Sequence, residues 1–189
     1  MAAGTVSGVT LAVRPPVAPM LATLARELPE GDFVFEPKWD GFRCLAFRDG
    51  DGVELYSRND RPLARYFPEL AESLLALGEE RFVLDGEIIV HGPDGVDFGA
   101  LMLRLHPSPS RVARLRTETP ASFVAFDVLA VGDTDLREAP LAERRASLTD
   151  LLVKAPSSIV LTPVTGDRDV ASRWLERSGG GGIDGVVAK

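Results

Sequence analysis

Residues 36–43 of the 189-residue chain read Glu36-Pro37-Lys38-Trp39-Asp40-Gly41-Phe42-Arg43. Lys38 stands out in this run, because 21 residues of the chain are basic and only Lys38, Lys154 and Lys189 are lysines. Arginine keeps its proton at any working pH, whereas the amine of a lysine can lose its proton in a suitable site and then attack an electrophile. A lysine at this position therefore suggests a nucleophile, although a single lysine beside a turn is more often an ordinary surface residue.

The spacing Lys-x-Asp-Gly-x-Arg, formed by Lys38, Asp40, Gly41 and Arg43, resembles the signature of the covalent nucleotidyltransferases. These are the ATP-dependent DNA ligases, the RNA ligases and the mRNA-capping enzymes. The resemblance implies that Lys38 is the catalytic residue, which attacks the α-phosphate of a nucleoside triphosphate and keeps the nucleotide as a phosphoramidate.

Four later segments resemble further elements of the same family and occur in the family's order. They are Ser57-Arg58-Asn59, Leu84-Asp85-Gly86-Glu87, Phe126-Asp127 and Ile183–Lys189. In the last of these, Asp184 stands where the family usually has glutamate. With Pro19-Met20-Leu21-Ala22 upstream, the resemblance is closest to ATP-dependent DNA ligases of the bacterial class associated with end joining and repair.

The resemblance also implies a role for each of these residues. Nucleotide binding is expected from Glu36 and Phe126 at the adenine, and from Lys38, Trp39, Arg43, Arg58, Glu87 and Lys189 around the ribose and phosphates. Metal binding is expected from Asp40, Glu87 and Asp184. The implied cofactors are ATP, with AMP as the covalent intermediate, and Mg²⁺, which Mn²⁺ can replace. AMP would then pass to the 5′-phosphate of a DNA nick, and the strand would be sealed.

The composition is that of an ordinary globular protein, with 45% hydrophobic and 26% charged residues. No apolar run is long enough to cross a membrane. The single cysteine, Cys44, cannot form an internal disulfide and fits a reducing cytoplasm. We therefore expect a cytoplasmic monomer in which any metal is a hard ion held by carboxylates and phosphates.

The net charge of −7 argues against strong binding of nucleic acid by this chain alone. The exception is a run of basic residues without an acid, which contains Arg104, His106, Arg111, Arg114 and Arg116. We expect this run to contact the backbone of nicked double-stranded DNA, and the alternative is a solvated helix face or loop. Most of the DNA contact is expected from domains outside this chain.

The pattern of strands and helices predicts an α+β fold with antiparallel β-sheets flanked by helices. Residues 1–32 are expected to form an arm with a loose turn or short helix before Pro29. Residues 33–189 would form the adenylation domain, a nucleotidyltransferase (ATP-grasp-like) fold, with Lys38 on a turn and a mobile glycine loop at 179–182. Its clearest helix is expected at Tyr66–Leu77, and 91–120 is expected to be rich in loops with one helix at Phe98–Leu105.

The chain ends before the family's Lys-x-Lys element and its oligonucleotide-binding domain, the OB-fold. From this we expect a truncated core that binds ATP or AMP and adenylylates itself slowly or not at all. Two other functions share parts of the pattern. One is an RNA ligase or mRNA-capping guanylyltransferase, and the other is a catalytically silent nucleotide-binding module.

Overall fold

The computed structural model describes residues 11–106, 108–179 and 182–189. Its strands are β1 (Phe35–Trp39), β2 (Phe42–Asp49), β3 (Gly52–Ser57), β4 (Arg81–Gly92), β5 (Gly95–Val96), β6 (Ala121–Val131), β7 (Thr134–Asp135), β8 (Ile159–Leu161) and β9 (Ile183–Ala188). Its α-helices are α1 (Pro68–Leu75), α2 (Phe98–Arg104), α3 (Pro109–Glu118), α4 (Leu141–Leu152) and α5 (Arg168–Glu176), and a 3₁₀ turn spans Ala64–Tyr66. The start of the arm and the middle of the predicted glycine loop lie outside the described residues.

Most strands form one sheet in the order β3-β2-β4-β6-β7, in which neighbouring strands are antiparallel. The Asp49-Gly50-Asp51-Gly52 turn joins β2 to β3, and Gly50 takes a φ of 61° there, which glycine adopts without strain. The predicted α+β class with antiparallel sheets is confirmed. One feature was not expected: β8 runs parallel to β6, after the chain crosses over through α4.

The candidate nucleophile lies on a second, two-stranded sheet, in which β1 pairs antiparallel with β9. Lys38 is opposite Gly185, and Pro37 is opposite Val186. Proline is tolerated here because a two-stranded sheet consists only of edge strands. The prediction that Lys38 lies on a turn is therefore wrong. Its strand partner is 147 positions further along the chain, where local sequence patterns cannot show a pairing.

The main core packs between the sheet and the helices α1 and α4. Its largest fully buried side chains include Phe67, Leu70, Leu74, Phe82, Leu84 and Phe123. A second hydrophobic cluster contains Leu11 and Val13 of the arm, which pack with Leu45 and Phe47 of β2. A loose turn or a short helix was expected before Pro29. Residues 11–34 contain no helix, so the structure has the loose turn.

The structure also corrects the segment between β4 and β6. The expected helix is confirmed as α2, but α3 was missed and was predicted as loop. Two signals for α3 were present in the sequence: Pro109 in the first turn, and the pair Val112 and Leu115, which are three positions apart and both buried. Within the described residues, no helix has the length and apolar character needed to cross a membrane.

Gly86 is expected to be essential to the sheet. A Cβ atom at this position would lie 2.5 Å from Cζ of Phe123 and 2.6 Å from the carbonyl oxygen of Val124. Gly86→Ala should therefore lower the free energy of unfolding by about 2 kcal/mol, since strands β4 and β6 would have to separate. Gly78→Ala is the control, because a Cβ there meets nothing within 4 Å. Urea denaturation of both variants checks this, and equal stabilities would contradict it.

Candidate active site

Strands of both sheets bring most of the predicted site residues together. Across β2 and β4, Arg43 is directly opposite Glu87. The guanidinium carbon of Arg43 lies 5.3 Å from the ring centre of Phe126 on β6, and the ammonium of Lys189 lies 5.3 Å from the same centre. Lys189 follows β9, whose pairing with β1 also brings Lys38 to this region. The aromatic ring is thus the point where the two sheets meet.

The Lys38 ammonium donates a hydrogen bond to Oδ2 of Asp184, at 2.8 Å. The two side chains are 52% and 47% exposed. An ion pair this exposed contributes only about 0–1 kcal/mol, so the amine is easily released toward an incoming ligand. The exposure of its side chain shows that Lys38 faces solvent, and it does not line either of two surface cavities of about 360 and 380 Å³ found elsewhere on the described residues.

A second lysine–carboxylate pair is buried. The Lys189 ammonium donates to Oε2 of Glu36 at 2.9 Å and to the carbonyl oxygen of Phe126 at 3.2 Å. Glu36 is 3% exposed. Burial raises the pKa of its carboxyl group, and the positive charge of Lys189 opposes that shift. Glu36 and Lys38 are two positions apart on β1, so their side chains are on the same face of the strand.

Three hydrogen bonds to two residues hold the Arg43 side chain in place. Its Nε and Nη2 donate to the two carboxylate oxygens of Asp85, at 3.0 and 2.7 Å, and its Nη1 donates to the carbonyl oxygen of Met20 at 2.7 Å. Asp85 is buried; burial raises the pKa of its carboxyl group, and the hydrogen bonds from Arg43 oppose the shift. The sequence analysis did not identify Asp85 as the partner of Arg43, although Asp85 is part of the quoted Leu84-Asp85-Gly86-Glu87 element.

Glu87 is a half-buried carboxyl group close to several charges. Burial raises its pKa to about 8, which Arg43 and Lys38 oppose and the anions Asp85 and Asp40 reinforce. The turn at Gly41, between β1 and β2, packs directly on Glu87. A Cβ at Gly41 would lie 2.9 Å from Cγ of Glu87 and 2.3 Å from the carbonyl oxygen of Ile88. Glycine at position 41 is therefore what allows β1 and β2 to approach β4.

The three predicted metal ligands are carboxylates around Lys38. Burial raises the pKa of Asp40, the charge of Asp184 adds to this, and Lys38 opposes it. Among the described residues, no three acidic, histidine or cysteine side chains are close enough to hold a metal ion by themselves. Oxygen donors suit Mg²⁺, which usually keeps few protein ligands and binds substrate phosphates. The residues present thus fit Mg²⁺ on condition that phosphate oxygens complete its coordination.

Two predicted residues stand apart from the others. Arg58 follows β3 and is exposed, and none of the hydrogen bonds or ion pairs found among the described residues involves its side chain. Trp39 is anchored instead of free, because its indole Nε1 donates to Oγ1 of the buried Thr162 at 3.0 Å.

The structure does not support Arg104 as a contact for DNA. This side chain is completely buried, pairs with Glu69 at 2.6 Å, and donates to the carbonyl oxygens of Thr119 and Tyr66 at 2.7 and 2.8 Å. It connects α2 to the segments before α1 and after α3, so the prediction for this residue is wrong. A run of positive charge in a sequence does not distinguish such an internal bridge from a surface patch.

Comparisons with known proteins show the family to which the chain belongs. The family model described as the ATP dependent DNA ligase domain matches residues 17–189. The chain belongs to this family. It is 52% identical to DNA ligase C of Mycobacterium tuberculosis and 51% identical to DNA ligase C2 of Mycolicibacterium smegmatis, in each case over 95% of this chain. It spans about half of those relatives, 51% and 50% of their lengths.

A solved structure carries the same fold. A mycobacterial DNA ligase D, complexed with ATP and MES, aligns with 83% of this chain and 48% of its own, at a TM-score of 0.60 and 30% identity. The predicted resemblance to ATP-dependent DNA ligases and the predicted fold are both confirmed. The roles of individual residues stay predictions.

The raised pKa of Glu87 predicts a pH-dependent stability. Its carboxyl group binds a proton more tightly in the folded protein than in the unfolded chain, where its pKa is near 4.5. Its contribution to stability is therefore present below pH 4.5 and is lost as the pH rises through about 8. A tenfold difference in proton affinity between the folded and unfolded states corresponds to about 1.4 kcal/mol of stability.

Glu87→Gln has no carboxyl group to ionise, so it should not lose stability as the pH rises. The free energy of unfolding of the variant should therefore increase relative to that of wild type between pH 5 and pH 8. Urea denaturation at several pH values measures the difference. Glu138→Gln, at an exposed position, is the control and should keep the wild-type slope. Parallel pH profiles for wild type and Glu87→Gln would show that the burial argument is wrong.

Proposed function

We propose that this chain is the adenylylation domain of an ATP-dependent DNA ligase, with Lys38 as the nucleophile. The observation that carries the proposal is the position of the Lys38 amine. It lies on β1, and among the described residues its one partner is the half-exposed carboxylate of Asp184, in a cluster that also contains Arg43, Glu87 and Phe126. An amine that is released easily, beside cations and an aromatic ring, suits attack on the phosphate of a bound nucleotide.

Phe126 and Glu36 are proposed to hold the adenine. An aromatic face is a good platform for a base, because every base has a π-face to stack on it. The carboxylate of Glu36 and the ring of Phe126 share Lys189 as a neighbour, so a base stacked on the ring would bring an edge near Glu36. An ionised carboxylate only accepts hydrogen bonds, and it therefore matches the exocyclic amine of adenine.

The remaining nucleotide contacts are proposed from charge and position. Lys189 would leave Glu36 and neutralise phosphate, while Arg43 and Glu87 would bind the ribose and phosphates. Arg58 would join them from its exposed position after β3, and Trp39 would fix the strand that carries Lys38 through its bond to Thr162. Among these, Arg43 is already oriented by Asp85 and by the arm at Met20.

In the proposed reaction, the lone pair of the Lys38 amine forms a bond to the α-phosphorus of ATP. The bond between that phosphorus and the bridging oxygen breaks, and pyrophosphate leaves. The ammonium gives one proton to water before the attack, and the nitrogen of the new P–N bond gives a second proton to water afterwards. In the whole protein, AMP would pass from Lys38 to the 5′-phosphate of a DNA nick. The 3′-hydroxyl group would then attack that phosphate, which seals the strand and releases AMP.

Asp40, Glu87 and Asp184 are the residues proposed to hold Mg²⁺, or Mn²⁺ in its place, together with phosphate oxygens. The ion would neutralise negative charge that develops on the phosphate in the transition state. The chain itself supplies a further part of this stabilisation through Arg43 and Lys189. Asp184 accepts from Lys38 through Oδ2 alone, so its other carboxylate oxygen would remain available to the ion while the pair is intact.

Lys38→Arg should abolish the covalent adduct, because arginine keeps the positive charge but has no available lone pair. After incubation with α-labelled ATP and Mg²⁺, wild type should keep label through denaturation and the variant should not. Reversible binding of ATP should stay within about threefold of wild type. Lys154→Arg, on the surface after α4, is the matched control. Label that survives the change at Lys38 would overturn the proposal, and a wild type that binds ATP without forming an adduct would favour a silent binding module.

Contact with DNA is proposed for the start of α3. His106, Ser108, Ser110, Arg111 and Arg114 line a surface cavity of about 380 Å³. Arg111 has a buried Nε for which no hydrogen-bond acceptor occurs in the described part of the chain. Arg114 pairs with Glu118 of the same helix at 3.3 Å, but both side chains are exposed and this pair separates at little cost. Arg116 is less exposed and pairs with Glu72 of a different helix, α1, so it is less suited. The positive end of a helix together with two arginines suits the phosphates of a DNA backbone.

The double change Arg111→Ala/Arg114→Ala should weaken binding of nicked DNA and reduce the slope of log affinity against log salt by about 2, since each phosphate contact contributes about 0.9. Arg173→Ala/Arg177→Ala removes the same charge from the other end of the sequence and is the control. Fluorescence anisotropy at several salt concentrations measures the slopes. Identical slopes for the two double variants would remove this contact from the proposal.

A further inference from the structure

Arg145 of α4 lies beside the proposed adenine site. Its Nη2 donates to the carbonyl oxygen of Thr162 at 2.7 Å, and the hydroxyl group of the same threonine accepts the hydrogen bond from Trp39. The amide of Thr162 donates to the carbonyl oxygen of Ala125, the residue before Phe126. Thr162 therefore connects Arg145 both to the strand of the nucleophile and to the strand of the aromatic platform.

The second terminal nitrogen of Arg145 is buried, and no residue of the described ranges accepts a hydrogen bond from it. Leaving a buried donor without an acceptor costs about 1–3 kcal/mol. Arg144, the next residue, shows the opposite situation: it donates to both carboxylate oxygens of Asp127, at 2.8 and 3.0 Å, and to the carbonyl oxygen of Ala139. Arg144 thus uses all three of its nitrogens within the protein, whereas Arg145 has a terminal nitrogen available for a further acceptor.

Two carboxylates are close enough to Arg145 to act on its charge. Burial lowers the pKa of Arg145, and Glu36 and Asp127 oppose that shift. Asp127 already accepts two hydrogen bonds from Arg144. Glu36 accepts one from Lys189. The carboxylate with unused capacity beside Arg145 is therefore Glu36.

We infer that Arg145 is a positioning residue that determines specificity for adenine. It forms an ion pair with the Glu36 carboxylate when Lys189 leaves Glu36 and binds phosphate. This inference rests on the proposed function. Glu36 is almost completely buried, and a buried carboxylate that lost its only cation would take up a proton. A protonated carboxyl group would no longer be a pure acceptor for the exocyclic amine of the base. The charge of Arg145 keeps Glu36 ionised through the exchange.

The test compares two ligands that differ only in the group that Glu36 would recognise. One is ATP, and the other is purine riboside 5′-triphosphate, which lacks the 6-amino group. Their dissociation constants are measured for the 189-residue chain by calorimetry without Mg²⁺, so that binding is reversible and no covalent adduct forms. Wild type should prefer ATP by about tenfold or more, as expected for a hydrogen bond to a charged acceptor.

Two substitutions separate the charge of Arg145 from its structural bond. Arg145→Gln keeps a donor for the carbonyl oxygen of Thr162 but removes the charge, so it should fold normally and lose most of the preference for ATP. Arg145→Lys keeps the charge and should retain most of the preference. Arg144→Gln removes a charge from the adjacent position and should retain the wild-type preference. Urea denaturation of each variant reports its stability independently of ligand.

The outcomes distinguish the inference from the function on which it rests. If Arg145→Gln weakens both ligands equally, or leaves the preference intact, Arg145 is only a structural residue and the inference is overturned. If Arg145→Gln does not fold, Arg145→Lys decides, because a loss of preference in that variant would contradict a role for charge. If wild type binds neither triphosphate, the proposed function itself is overturned.

Discussion

The pairing of β1 with β9 is the interaction on which the site depends. It joins two segments 146 positions apart, as measured between Lys38 and Asp184, and it supplies both lysine–carboxylate pairs. Neither lysine lies on the large sheet that carries Arg43, Glu87 and Phe126. The site is therefore an interface between two sheets, and its geometry is set by how the small sheet packs on the large one. Gly41 permits this close packing, because a Cβ there would lie 2.3 Å from the carbonyl oxygen of Ile88, whereas Gly86 permits the close approach of β4 and β6 within the large sheet.

Charge in the site is compensated by pairs that can change partners. The exposed pair of Lys38 and Asp184 separates at little cost, whereas the buried pair of Lys189 and Glu36 needs replacement partners for both of its members. A nucleoside triphosphate offers both kinds: its phosphates attract the lysine, and the amine of its base donates to the carboxylate. Binding of such a ligand is thus an exchange of ion pairs, and the protein need not bury a new uncompensated charge.

The sequence predicted the components of this site better than their arrangement. The spacing of Lys38, Asp40, Gly41 and Arg43 indicated the family, and local patterns predicted β2 and β4 as strands but not the sheet that they form. The strand that carries Lys38 was mistaken for a turn because its partner is distant in sequence. Arg104 and Arg145 were not understood for a related reason: the function of an arginine depends on burial and on acceptors from other segments. Asp85 and the helix α3 had local signals and could have been found.

Arg104, which the sequence assigned to DNA, and Arg145, to which it assigned no role, differ in how the protein uses their terminal nitrogens, although Arg104 also has a buried Nε without an acceptor in the described part of the chain. Arg104 is buried with carbonyl and carboxylate acceptors already on its terminal nitrogens, so it stabilises one arrangement of three segments. Arg145 has one terminal nitrogen bound and one without an acceptor in the described part of the chain, next to a carboxylate whose present cation is a lysine. Lysine presents its charge at one point on a flexible chain, whereas the planar guanidinium can keep one contact and add another. These properties fit a site in which Lys189 moves to phosphate and Arg145 stays in place. Arg145 must bind Thr162 and Glu36 at the same time, and its planar guanidinium can do so.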